Sequence, residues 1–258
     1  MKKFISSLLI LLTASLCAPH HETAQEKQKR FFKDIIIAMA FQAAAQNPPQ
    51  YEQSDCTKYS PALNVAYPLY WPTFHADTTQ YTTVIIGDST MAINGSYAGF
   101  NGAGTQNVAI GGNTSCDMIT QLPAINTIAP SVIIVSTNGG NDMLAQVSDT
   151  NVINTNTLLI KRLHQKYPNA KLVVVGVHPT KSTYGNAHKA AINTGTQNAL
   201  NAEYTTASQR CYVNPLTLFG VAEGQAANDS DMLDQIHYNQ AMSFSIKNKI
   251  QTDCGITF

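Results

Sequence analysis

Charge is scarce in this chain. Lys+Arg and Asp+Glu number 16 each and together make up only 12% of the 258 residues. A set so dilute and so evenly balanced creates no field to draw in nucleic acid or an anionic membrane surface. There is no P-loop, no dinucleotide-type glycine fingerprint and no Cys-x-x-Cys pair, so phosphate-cradling folds and the usual zinc or redox motifs are excluded. Internal repeats and low-complexity stretches are absent too. What is present is a 44% hydrophobic content, which suits a packed globule, in a length that fills one sizeable core rather than two domains.

Residues 1–16 read as an export signal. Lys2 and Lys3 give a basic start, and Phe4 to Leu16 is an apolar run too short to cross a bilayer as a mature helix. Two processings fit: lipidation of Cys17, which would anchor the chain to a membrane, or cleavage after Ser15 with Thr13 at the −3 place. The expected location is periplasmic, outer-membrane-anchored or extracellular. If Cys17 is set aside for an acyl chain, Cys56, Cys116, Cys211 and Cys254 remain, an even number for an oxidising compartment. Four cysteines allow three pairings; by position alone, Cys211 with Cys254 and Cys56 with Cys116 are candidates.

Residues 17–80 divide into a polar tether, a helical pattern from Phe31 to Ala45 stopped by Pro48 and Pro49, and an irregular wrap around Trp71. From residue 81 to 258 the rhythm is that of a single domain. Short β-rich runs at Thr82–Ile86, Asn107–Ile110, Ser131–Ser136, Lys171–Val177 and Cys211–Val213 alternate with helical stretches at Thr114–Leu122, Val152–Tyr167, Ala187–Thr206 and Gln240–Gln251. Val132-Ile133-Ile134-Val135 and Leu172-Val173-Val174-Val175 do not alternate in polarity, as expected of strands covered on both faces. The pattern predicts a three-layer α/β/α sandwich around a mostly parallel five-stranded sheet, of flavodoxin-like type.

Reactive groups in such a sheet gather where the strands' carboxyl ends run into loops. Four polar clusters fall there: Gly87-Asp88-Ser89 after the first strand, Gly111-Gly112-Asn113-Thr114 after the second, Gly139-Gly140-Asn141-Asp142 after the third, and Asp234-Gln235-Ile236-His237 before the last helix. Taken singly, each is also an ordinary turn. Together they offer a hydroxyl, backbone and amide N–H donors, and a histidine with a carboxylate three residues upstream. A serine needs a nearby base to become a nucleophile, and a carboxylate can hold that base in the right tautomer.

In this order the clusters resemble the four blocks of the SGNH (GDSL-like) hydrolases. The resemblance spans about Tyr81 to Asp253. It implies Ser89 as nucleophile, His237 as base and later acid, and Asp234 as its orienter. The Gly112 N–H, the Asn141 side-chain amide and the Ser89 N–H would form the oxyanion hole. Two departures stand out: Asn113 where the family carries Asp, and Thr90 where leucine usually follows the serine. The implied reaction is hydrolysis of an acyl ester, of a short acyl group, an O-acetylated carbohydrate or a lipid, through an acyl-Ser89 intermediate without metal or organic cofactor. An acyltransferase using the same groups is one rival, to be told apart by water access to the acyl-enzyme. A non-catalytic binding protein on the same fold is another, and it should lack one of the four groups. His178, after the fourth strand, is either a pocket-lining residue or a turn histidine.

Overall fold

The computed structural model describes residues 80–257, apart from 98–99, 101, 123–124, 126, 137–138 and 145–146. The export signal, Cys17, the Phe31–Ala45 helix and the Trp71 wrap lie outside the described residues. Five strands form one sheet: β1 (Thr83–Ile86), β2 (Thr105–Asn107), β3 (Val132–Ser136), β4 (Lys171–Val175) and β5 (Arg210–Val213). Their order is β2-β1-β3-β4-β5 and every pairing is parallel. The expected mostly parallel sheet is wholly parallel.

The three-layer arrangement follows from the period-2 alternation of strand side chains. Val84, Ile86, Ile133, Val135, Leu172 and Val174 point to one face, where they pack with Met118, Leu159, Ile160, Leu163 and Leu200. Those partners come from α2 (Ser115–Gln121), α4 (Asp149–Lys166) and α5 (Thr183–Glu203). Ile85, Ile134, Val173, Val175 and Val213 point to the other face, against Met91, Phe219, Met242, Ile246 and Ile250. These belong to α1 (Ser89–Tyr97), α6 (Leu216–Phe219) and α7 (Gln240–Cys254). Covered on both sides, the strands need no polar residue in their middles, which is why β3 and β4 read as unbroken aliphatic runs.

Element boundaries differ from the sequence expectation in one instructive place. The second strand, expected at Asn107–Ile110, is Thr105–Asn107, pairing Thr83 with Thr105 and Ile85 with Asn107. Beyond it the chain stays beside β1, with Val108 N–H donating to Ile85 O and Ile110 N–H to Gly87 O. Apolarity selects the buried half of that run, whereas the ladder sits on the polar half at the sheet edge. The helical expectation for α4 also shifts, since the buried stripe is Val152, Thr155, Asn156, Leu159, Ile160 and Leu163 and begins three residues into a helix capped by Ser148. Thr114 and Asp117 form a capping box at α2. A disulfide joins Cys211 in β5 to Cys254 at the end of α7. Cys116 is disulfide-bonded as well.

Strand order 2-1-3-4-5 reverses direction at β1, so the crevice outside the carboxyl ends of β1 and β3 is the topological switch point. The short helix α3 (Gly140–Leu144) follows β3 at that crevice.

Candidate active site

Ser89 is the first residue of α1, immediately beyond the buried Ile86-Gly87-Asp88 turn. Asp88 makes that turn: its Oδ1 accepts the Thr90 N–H at 2.9 Å, and its carbonyl accepts the Ala92 N–H at 3.0 Å. A side chain at Gly87 would lie 2.9 Å from the Met91 Cβ, so the strand reaches α1 closely enough only with glycine. The result is a half-buried serine held at the helix start with its hydroxyl toward His237.

The Ser89 Oγ and His237 Nε2 are 2.8 Å apart. On the other side of the ring, His237 Nδ1 lies 2.8 Å from Asp234 Oδ2. Asp234 Oδ1 accepts two backbone N–H groups, from Ile236 and His237, each at 2.7 Å. One carboxylate thus shapes its own loop and fixes the imidazole, with Nδ1–H donating to Asp234 and Nε2 free to accept from Ser89. Burial would raise the Asp234 carboxyl, but the His237 ring and the two backbone donors outweigh it and hold the group below its ordinary 3.8. The bond pattern is that of a serine activated by an oriented base.

Two loops flank the serine. The turn after β2 carries Gly112 at φ 83°, a left-handed conformation suited to glycine. The neighbouring Gly111 lies against Ser89, whose Cβ would be 3.8 Å from a Cβ at that position. Asn113, standing where the family has Asp, is buried and bound: its amide donates to Gly87 O and exchanges a pair of bonds with Gln121. The substitution therefore keeps the turn tied to the end of β1, next to Ser89. From the other side, Asn141 Nδ2 donates to Asn113 O at 2.8 Å, which fixes the amide and leaves its second N–H for another acceptor. Among the described residues, neither the Ser89 nor the Gly112 N–H meets an acceptor. Unspent donors beside a serine hydroxyl are what a developing oxyanion requires.

A cleft open to solvent brings Ser89, Asn141, Thr180 and Ser182 together with Met143, Val177 and Ile236. Ser89, Asp234, His237 and Asn141 are therefore gathered in one place, with the Gly112 turn alongside.

Sequence reading missed one buried group behind this site and named a second without its contact. Asn94, fully buried on α1, receives a hydrogen-bond partner in Tyr238, the residue after His237, and accepts from Ser243 Oγ of α7 at 2.6 Å. It joins the helix that begins at Ser89 to the loop that carries His237; a lone amide among Met91, Ala92 and Ile93 was the only signal. His178, read as pocket-lining or turn, is 3% exposed and lines the cleft, but its ring engages the base loop.

Sandwich and site together define an α/β/α hydrolase. The chain belongs to the GDSL-like Lipase/Acylhydrolase family, whose profile matches residues 85–243, more than half of its length. Among solved structures it is similar to a Streptococcus pneumonia protein given the name platelet activating factor, at 18% identity and TM-score 0.55 over 83% of this chain and 98% of that one. A GDSL-like lipase from Bacteroides thetaiotaomicron is similar at 16% identity and TM-score 0.52, over 79% and 98% of the two chains. An acetyl-xylooligosaccharide esterase from Geobacillus Stearmophilus follows at 12% identity and TM-score 0.51, over 70% and 98%. At such identities the likeness concerns the fold. No curated protein matches the chain.

Proposed function

We propose that this protein is a serine esterase that hydrolyses an acyl ester of a small molecule, carbohydrate or lipid through an acyl-Ser89 intermediate. The observation that carries the reading is the continuous Ser89–His237–Asp234 hydrogen-bond relay at the mouth of a cleft. Ser89 Oγ attacks the ester carbonyl carbon while its proton passes to His237 Nε2. The carbonyl oxygen becomes an anion beside the Ser89 and Gly112 N–H groups and the Asn141 amide. As the tetrahedral species collapses, the ester C–O bond breaks, and the departing alkoxide takes the proton from His237. A water molecule then attacks acyl-Ser89, giving its proton to His237, and the same steps run back to release the carboxylic acid and restore the serine. Met143, Val177 and Ile236 offer an apolar wall, while Thr180 and Ser182 offer hydroxyls, which suits a short acyl group on a polar alcohol such as a sugar.

We infer export from the basic, apolar start of the chain, in keeping with the Cys211–Cys254 disulfide, a bond that persists in oxidising compartments. The decisive experiment treats wild type and Ser89→Ala with a fluorophosphonate probe and with p-nitrophenyl acetate. Wild type should be labelled and turn over ester; Ser89→Ala should do neither while melting at the wild-type temperature. Labelling that persists in Ser89→Ala would exclude this nucleophile.

A further inference from the structure

The peptide unit between Ile236 and His237 is held at both ends. Its N–H donates to Asp234 Oδ1 at 2.7 Å, and its carbonyl, Ile236 O, lies 2.8 Å from Nε2 of His178. His178 comes from the segment after β4, 58 residues away in sequence. A second bond from that segment, Lys181 N–H to Gln235 O at 3.0 Å, grips the preceding peptide of the same loop. The base loop thus rests on the post-β4 segment through two consecutive carbonyls.

We propose that His178 is a positioning residue for the catalytic base, its ring Nε2–H fixing the peptide that sets the direction of the His237 side chain. The proposal rests on the reading of His237 as the base.

The tautomer follows from the partners. Ile236 O only accepts, so Nε2 of His178 carries the proton and Nδ1 is bare. Nδ1 is buried and meets no donor or acceptor among the described residues. Protonating it would place a cation against Tyr238, whose ring crosses His178 edge-on at 4.8 Å, and alongside Phe219 at 6.0 Å. Burial therefore pushes His178 down to about 4, assisted by the nearby His237 and Lys189 and opposed by the Ile236 carbonyl and Asp234. His237, Lys189 and Asp234 are the titratable groups that act on it electrostatically. At working pH His178 is a neutral donor, so it steers His237 by geometry and adds no charge of its own.

That neutrality makes the role separable from simple electrostatics. His178→Gln keeps an N–H at about the same reach and His178→Met removes it, and neither changes the charge near His237. With the Ile236 carbonyl released, the 236–237 peptide can rotate, the Asp234–His237 pairing loosens, and the imidazolium loses stabilisation. Proton NMR of the full chain should show the downfield resonance of the His237 Nδ1–H, which Asp234 Oδ2 accepts at 2.8 Å, moving upfield in His178→Met and staying in place in His178→Gln. Ester turnover should fall about ten- to a hundredfold in kcat for Met with little change in KM, and stay within about threefold of wild type for Gln. An unmoved His237 Nδ1–H resonance in folded His178→Met would overturn the proposal, as would a Gln variant as impaired as Met. Should Met not fold, the wild-type ring decides: a proton on Nδ1 of His178, rather than on Nε2, leaves Ile236 O without its donor and sinks the idea. Absence of turnover or probe labelling in wild type would instead count against the esterase reading, because the NMR outcomes do not depend on activity.

Discussion

Asp234→Asn is the substitution whose consequences the geometry fixes most tightly. Asp234 accepts three hydrogen bonds, two backbone N–H groups on Oδ1 at 2.7 Å and the His237 ring on Oδ2 at 2.8 Å. An asparagine with its oxygen in the Oδ1 place keeps both backbone bonds, so the loop survives. Its NH2 then faces His237 Nδ1, which must become an acceptor, and the ring proton moves to Nε2. There it points at Ser89 Oγ, and the lone pair that should receive the serine proton is gone. A base in the wrong tautomer costs about ten-thousandfold in kcat, or about 5 kcal/mol of barrier. Stability should change by only about 1 kcal/mol, since one hydrogen bond is exchanged for a weaker one.

Asp234→Ala is the control that separates loop from tautomer. It strands the Ile236 and His237 N–H groups, and two unmet buried donors cost a further 2 kcal/mol or so. Turnover of p-nitrophenyl acetate with thermal melts on both variants reads the two effects apart: similar kcat losses, with only alanine markedly less stable. An Asn variant that is folded and retains kcat within about tenfold of wild type would refute the proposed role of Asp234 as orienter.

Asn141→Ala should lower kcat about a hundred- to a thousandfold with modest change in KM, while the lost bond to Asn113 O costs about 1 kcal/mol; near-normal kcat in folded protein would remove Asn141 from the reaction. Replacing both Cys211 and Cys254 with Ser opens a loop of sequence separation 43 and should cost up to about 4 kcal/mol, lowering Tm by about 10 °C in calorimetry; an unchanged Tm would contradict it. Asp117, behind the Gly112–Thr114 turn, is raised to about 6 by burial, despite its bonds to Thr114 and with a smaller push from Asp142. The native state therefore binds this proton more tightly than the unfolded chain, so its contribution to stability falls as pH rises from about 4 to 6 and stays lower above. Denaturant unfolding of wild type and Asp117→Asn should diverge by about 3 kcal/mol between pH 4 and 7, with wild type the relative loser at pH 7; a pH-independent difference would dismiss the effect.

The fold was legible because its information is local. Aliphatic runs such as Val132–Val135 announce doubly covered strands, and Thr114 with Asp117 announces a helix start. The candidate site was legible for the same reason, as each polar cluster is a short stretch of chain at a strand end. What sequence did not disclose falls into two kinds. The helices α1, α3 and α6 are short or mixed in polarity, so no 3.6-residue stripe marks them. The contacts of Asn94 with Tyr238 and of His178 with Ile236 join segments 144 and 58 residues apart, and no local pattern specifies which distant carbonyl or hydroxyl a buried polar group will meet.

Strand order explains why these separate stretches converge. β1 is hydrogen-bonded to β2 on one side and β3 on the other, so the loop bearing Ser89 is flanked by the Gly112 turn and by Asn141 without either being near it in sequence. A serine after an edge strand would have a donor loop on one side only. β4 lies beyond β3, and its trailing segment supplies His178 and Lys181, which hold the base loop from below while Asn94 of α1 holds Tyr238. The base loop is thus tied both to the nucleophile's helix and to the post-β4 segment, independently of the Ser89–His237 bond itself. That redundancy has a physical use. A serine hydroxyl and an imidazole must part and rejoin as the proton moves, and a loop positioned only by their mutual bond would drift whenever it broke. In the proposed reaction, the ties to Asn94, His178 and Lys181 would keep His237 in place through the interval when Ser89 carries the acyl group and has no proton to share.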